Sequence, residues 1–371
     1  MPEAVEDVAG TLLASALRGS AATPPRAVWP ELLASADREG VLPLLADAAA
    51  SASWDAELIA AMRPSVMAEA ALAILREREL RILLDALREE DVLPLLLKGA
   101  HLAYAVYPSP DRRPRLDTDL LIKDVDRDAV RRCLLRLGYS PAAKVTGEVA
   151  FAQFQYWRTD RSGATHTVDV HWRVANPKAF ADRVTYDELR QTAVAVPRLG
   201  ANAFAPAAPL ALLIACLHRT AHHATAPRLL WLYDMHLLAA QFTQDDWDRL
   251  VLVAEARGLS LVVAAGLADA IDRLGTIVPN PVLERLQSGA GATDRDVLAF
   301  LNGPQPQIQV AVSDWNRIRG WRSRARFLRE HLFPPASYVR QRYKNRSTML
   351  LPLLYAHRIA SGSVKWFRRP Q

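Results

Sequence analysis

Arg113-Pro114-Arg115-Leu116-Asp117-Thr118-Asp119-Leu120-Leu121-Ile122 is the stretch whose reading decides the fold. Side chains of an extended chain alternate, so Asp117 and Asp119 share one face of a strand that Leu120-Leu121-Ile122 carries into a core. Carboxylates beside a buried apolar run are costly unless a cation or hydrogen-bond donors meet them. A third acid, Asp169, lies in Thr165-His166-Thr167-Val168-Asp169-Val170-His171-Trp172, another alternating β-branched run. On a neighbouring strand it would face the first two. Three acids on one sheet face repel unless a divalent ion sits among them, and hard oxygen ligands of this kind suit Mg²⁺ or Mn²⁺. An Asp-x-Asp alone is a weaker sign, because alternating acids on an edge strand are commonly just solvated.

Working outward, Lys98-Gly99-Ala100 closes an apolar run over 92–97 and opens a helical segment, where backbone N–H groups and an ammonium can meet a phosphate. Residues 107–114 form a proline- and arginine-rich loop. Arg112, Arg113 and Arg115 are either cations for a phosphate or a solvated basic loop. The spacing predicts a helix over 124–137, with Asp126 and Asp128 in its first turn and Gly138 as its C-cap. Two strands over 151–157 and 165–174 follow, joined by a turn at 160–163. His171 shares the face of Asp169 and either joins the metal shell or is a structural residue beside Trp172. His166 faces the other side by parity and, near the turn, is expected to be exposed.

The first ninety residues read as helices throughout, with Leu12, Leu13 and Leu17, then Trp29, Leu32 and Leu33, then 41–50 and a long amphipathic run over 67–89. Arg76, Glu77, Arg78, Glu79 and Arg81 are expected on the solvated face of the last of these. A hinge is expected at 20–25, and the whole region is read as a cap on the sheet. After residue 206 helices return. His218 and His222 are four apart on one face, the spacing of a zinc pair, but Arg219 stands where a metalloprotease has its glutamate. A buried hydrogen bond in which one of these histidines donates to Asp234, holding two helices together, is their structural reading. A break is expected at 288–292. Beyond Trp315 the chain is rich in arginine up to Arg346, which suits an anionic partner such as RNA or a membrane surface. A solvated helix face accounts for it better, because the arginines are spread around the helix. The end at 366–369 has no evident anchor.

The chain has 371 residues, 50% hydrophobic and 23% charged, which excludes a disordered protein and is long enough for several sub-domains around a sizeable core. Cys133 and Cys216 lie in apolar helical runs, and with no leader pattern at the N-terminus they read as reduced core residues of a cytoplasmic protein. No uninterrupted apolar run reaches membrane-span length: 207–217 is too short, and 259–268 ends at Asp269. The net charge of +6 permits an anionic partner without choosing one.

Leu96-Leu97-Lys98-Gly99-Ala100, Tyr107-Pro108, Arg113-Pro114, Asp117-Thr118-Asp119-Leu120-Leu121-Ile122, Leu137-Gly138-Tyr139 and Asp169-Val170-His171-Trp172 together resemble the uncharacterised branch of the polymerase-β-like nucleotidyltransferase superfamily. The resemblance continues through His218, His222, Trp231 and Asp234 to Phe333-Pro334-Pro335 and Tyr338. The superfamily's usual Gly-Ser ahead of the acids is Lys98-Gly99 here. The resemblance implies an α+β fold in which a small mixed sheet is flanked by N-terminal and C-terminal helices. Its expected parts are a helical cap over 1–91, a nucleotidyltransferase core over 92–204, a helical region lining the cleft over 205–300 and a basic helical extension over 301–371. It implies transfer of a nucleoside monophosphate from an NTP, ATP in the first instance, to a small-molecule, peptide or protein acceptor. Asp117, Asp119 and Asp169 would be the catalytic and metal-holding acids; Lys98, Gly99 and Arg113 would meet the phosphates; and His171, His218, His222 and Asp234 would contact nucleotide or substrate. Alternatives are an RNA or tRNA-end transferase and a catalytically degenerate NTP-binding regulatory module.

Overall fold

The computed structural model describes residues 2–19, 22–143, 147–289, 294–344 and 349–366. The expected hinge at 20–25 and break at 288–292 are therefore described only in part, Arg346 lies outside the described residues, and so does the terminus beyond Trp366.

Seven strands, β1 (Leu95–Leu96), β2 (Thr118–Leu121), β3 (Ser140–Pro141), β4 (Gln153–Thr159), β5 (Thr165–His171), β6 (Val194–Ala195) and β7 (Phe204–Ala205), form one mixed sheet in the order β3-β4-β5-β2-β1-β7-β6. Helices surround it, so the architecture is α+β as expected. The β4–β5 hairpin pairs from Gln153 opposite His171 to Thr159 opposite Thr165. Asp160 closes its turn by accepting from the backbone N–H of Ser162 at 2.8 Å and of Ala164 at 3.1 Å. The other oxygen of Asp160 lies 3.0 Å from His166 Nε2. This is why His166 is buried, against the expectation of exposure: the turn folds a carboxylate back onto its ring.

β5 also runs parallel to β2, with Asp119 opposite Asp169 and Leu121 opposite His171. The two sheet faces divide the core. Leu96, Leu120, Val168 and Val170 pack with Val130, Cys133 and Leu134 of the Arg127–Arg136 helix and with Leu80, Leu83, Leu84 and Leu87 of the Ala56–Glu89 helix. Leu95, Leu97 and Leu121 face the other way, into a larger cluster with the Ala208–His223 and Leu229–Ala240 helices. Each fully buried leucine stabilises the fold by about 1.5–3 kcal/mol, so the strand carrying the acids is pinned from both sides.

The N-terminal segment expected to cap the sheet divides between these clusters. The second half of the Ala56–Glu89 helix packs in the first cluster, and Leu13, Leu32, Leu45 and Leu58 join the second, with Leu95, Leu97 and Leu121 of the sheet side and the later helices. Asp55 caps that long helix by accepting from Glu57 N–H at 2.9 Å. Glu79 does not lie on a solvated face. It is buried and accepts from the Tyr139 hydroxyl at 2.7 Å and from Arg158 at 2.6 Å, which compensates its charge. The expectation that no uninterrupted apolar run reaches span length concerns unbroken runs, and a helix interrupted by charges is a separate case. By length and composition alone the Ala56–Glu89 helix is apolar enough over eighteen residues to cross a membrane; scattered charges such as Arg63 and Glu69 break the run without lowering its mean hydropathy enough.

The C-terminal helices dock beside β4. Glu330 accepts from three successive backbone N–H groups, Glu148 at 2.9 Å, Val149 at 3.0 Å and Ala150 at 2.8 Å. Asp314 accepts from Lys178 N–H at 2.7 Å, and burial pushes its carboxyl from 3.8 up to about 6. The folded protein therefore holds this proton more tightly than the unfolded chain between pH 4 and 6, and stability falls as pH rises through that window. Asp314→Asn keeps an acceptor for Lys178 and removes the charge. It is expected to be more stable than wild type above pH 6, by up to about 3 kcal/mol, with the difference vanishing below pH 4. Urea unfolding at pH 4 and pH 7.5 checks this, and a pH-independent difference would contradict it.

Candidate metal centre and cavity

The acid site is assembled by three local features. The parallel β2–β5 register sets Asp119 beside Asp169, and His171, two residues on, shares their face. The third feature is backbone strain at the start of the Lys98–Ala105 helix, where Lys98 has φ +50°, a left-handed conformation unusual for a residue with a Cβ. Leu97 N–H donates to Asp119 O at 3.0 Å, and the turn aims Lys98 Nζ at Asp119 Oδ1, 2.7 Å away.

Asp119 Oδ1 also accepts from His171 Nε2 at 2.8 Å, and Asp169 Oδ1 lies 4.0 Å from the same nitrogen. Burial opposes ionisation of Asp119, but the Lys98 ammonium and His171 outweigh it and hold this carboxyl well below the usual range. Ligand atoms of Asp119, Asp169 and His171, all buried, lie within 4.8 Å of one another. Asp117 is not in this group. It is half-buried just before β2, and burial together with the charge of Asp119 pushes its carboxyl up to about 6. The donor set fits a divalent ion: two carboxylates and an imidazole converge in a buried place, where a cation would offset their mutual repulsion.

Every residue expected at the site lines one cavity of about 730 Å³: Lys98, Gly99, Arg113, Asp117, Asp119, Asp169, His171, His218, His222 and Asp234. That is room for a nucleotide-sized ligand. Their roles within it differ from the sequence reading. Arg113, favoured as a phosphate ligand, is buried and bidentate with Asp234, Nε to Oδ1 and Nη2 to Oδ2, each 2.7 Å. Asp234 also accepts from the Tyr107 hydroxyl at 2.7 Å, so it bonds neither His218 nor His222. Gly99 leaves space for this arrangement: a Cβ there would sit 3.2 Å from Arg113 Nη1 and press on the paired guanidinium.

Of the three loop arginines, Arg115 is the one with an unpartnered donor at the cavity; Arg228, on the cavity lining too, also has an Nε without a partner among the described residues. Arg115 is buried against the cavity, donates to the Tyr104 hydroxyl at 2.9 Å, and its Nε has no hydrogen-bond partner among the described residues. Arg112, by contrast, is paired with Asp47 and Asp111. On the opposite wall His218 Nε2 lies 3.2 Å from His223 Nε2, and burial and the Lys98 charge hold the His218 imidazole well below its usual value. The ring of His223 packs on Trp231, their centroids 4.1 Å apart.

Gln153 escaped the sequence reading. Its amide lies opposite His171 in the β4–β5 ladder, approaches Asp169 Oδ2 at 3.4 Å, and is steadied by Asn176 Nδ2 at 3.0 Å. Strand parity against His171 was the signal that places it on this face.

Fold and site together define an α+β protein with a buried Asp-Asp-His cluster able to hold a metal ion beside a lysine. The chain belongs to the family of uncharacterised nucleotidyltransferases, whose model matches residues 25–299, the part that holds the whole sheet and every residue expected at the site. It is therefore assigned to the transferases. No functionally curated protein matches the chain.

Proposed function

We propose that this protein transfers a nucleoside monophosphate from an NTP, ATP in the first instance, to an acceptor hydroxyl, within the polymerase-β-like superfamily. The observation that carries this reading is the register of Asp119 against Asp169, with His171 and Lys98 closing on the same oxygen, at a cavity of nucleotide size. Asp119 and Asp169, with Asp117 at the edge of the cluster, would hold a divalent ion, which when bound would supply charge neutralisation for the triphosphate and acidify the attacking hydroxyl. The acceptor oxygen forms a bond to the α-phosphorus, the α–β bridging P–O bond breaks, and its electron pair leaves with pyrophosphate. The acceptor proton passes to the carboxylate cluster and on to water. Lys98 and Arg115 meet phosphate oxygens, and positioning and charge neutralisation account for most of the rate. The acceptor is a small molecule, peptide or protein. RNA is the less favoured acceptor, since Arg317 and Arg326 of the basic C-terminal region are engaged with Asp294, Asp296 and Glu148. The free, buried Cys133 and Cys216 suit a reducing, cytoplasmic setting.

Incubation of the purified chain with α-labelled NTPs, Mg²⁺ or Mn²⁺ and a cell extract tests the reading. Label is expected on an acceptor, with release of pyrophosphate. Nucleotide binding without transfer of label from any of the four NTPs would count against it and favour a regulatory module.

A further inference from the structure

We propose that the ion at this centre is a first-row transition ion held through the imidazole of His171, not Mg²⁺ held by carboxylates alone. The inference rests on the proposed transfer reaction only in that both place a divalent ion beside Asp119.

The argument is the identity of the third ligand. His171 Nε2 lies 2.8 Å from Asp119 Oδ1 and 4.0 Å from Asp169 Oδ1, so a nitrogen donor is turned into the space between the two acids. The backbone fixes it there: His171 is the register partner of Leu121 in β2 and of Gln153 in β4, and its side chain is buried. It is not a surface residue that drifts across the site. Asp117, expected as one of three metal-holding acids, falls outside the group whose ligand atoms lie within 4.8 Å of one another. Mg²⁺ demands a nearly regular octahedron of oxygen atoms and gives up its waters reluctantly. An imidazole among two carboxylates instead favours ions whose affinity for nitrogen rises along the series from Mn²⁺ to Co²⁺. Replacing an all-oxygen trio by Asp-Asp-His therefore tilts the site away from Mg²⁺. The competing account is that His171 only hydrogen-bonds Asp119 and never touches the ion.

Mn²⁺ is the probe, because its electron spin reports directly on a coordinated nitrogen. The full chain is titrated with Mn²⁺ and followed by electron paramagnetic resonance, alone and against Mg²⁺, and the loaded protein is examined for ¹⁴N hyperfine coupling by pulsed methods. Coupling from one imidazole is expected in wild type and absent in His171→Asn. That variant should lose at least about tenfold in Mn²⁺ affinity while Mg²⁺ affinity changes by less than about threefold. His171→Gln serves as the second variant, and circular dichroism shows which of them keeps the fold. Tight Mn²⁺ binding without ¹⁴N coupling, or with coupling that survives in both variants, overturns this inference and leaves the transferase reading standing. Failure of wild type to bind either ion overturns both.

Discussion

Asp119→Asn is expected to abolish nucleotidyl transfer while leaving the protein folded. One oxygen of Asp119 accepts from both Lys98 and His171, and the side chain faces Asp169 across the β2–β5 ladder. Asparagine has nearly the same shape and can still accept one of those hydrogen bonds. It lacks the negative charge that makes the group a counter-ion to Lys98 and would make it a metal ligand in the proposed mechanism. Losing one preorganised electrostatic contact commonly lowers a rate by about 10²–10³-fold, and here the metal-holding charge goes with it, so a loss on the order of 10³-fold or more is expected. The fold suffers less, because Lys98 still has the charge of Asp117 nearby; losing a charge-assisted hydrogen bond costs about 1–3 kcal/mol. Single-turnover transfer of α-labelled NTP, beside thermal unfolding of the same preparation, separates the two effects. A variant within tenfold of wild type would remove Asp119 from the centre of the mechanism.

Reading this site from sequence worked where physics is local. Strand parity put Asp117 and Asp119 on one face, and put Asp169 and His171 on one face of a second strand, and the structure lays Asp119 beside Asp169. The Lys98-Gly99 turn was legible because a lysine and a glycine after an apolar run are unusual there, although the left-handed φ of Lys98 itself was not. What failed to show was pairing across the chain. Glu79 looked like one charge among many on a solvated helix, because Tyr139, 60 residues away, and Arg158, 79 away, complete its environment. Gly99 read as a phosphate cradle, while the structure shows that it also makes room for the Arg113 guanidinium. Roles were reassigned for the same reason: a guanidinium has a fixed fork of donors, and which acid occupies it depends on a helix more than a hundred residues downstream.

That acid is Asp234, and Asp234→Ala is expected to cost about 3–5 kcal/mol, because it leaves the Arg113 guanidinium buried without a counter-charge. The side chains of the pair are only 7% and 6% exposed, and two parallel hydrogen bonds of 2.7 Å join them. Burial alone would lower the affinity of Arg113 for its proton; the Asp234 carboxylate more than reverses this, so the cation persists at any working pH. The Tyr107 hydroxyl would lose its acceptor as well. Replacing both partners by apolar residues of similar volume, Arg113→Met with Asp234→Leu, removes the uncompensated charge and is expected to be much less harmful than Asp234→Ala. The pattern matters more than either value: a double-mutant cycle by denaturant unfolding should show strong coupling, whereas additive losses would mean the pair is not a unit. Function should follow stability only in part. The pair ties the loop ahead of β2 to the Leu229–Ala240 helix, which carries Trp231 in the far wall of the cavity. The double variant, folded but without that tie, is therefore expected to raise KM for NTP more than it lowers kcat, because the cavity loses its shape while Asp119, Asp169 and Lys98 keep theirs.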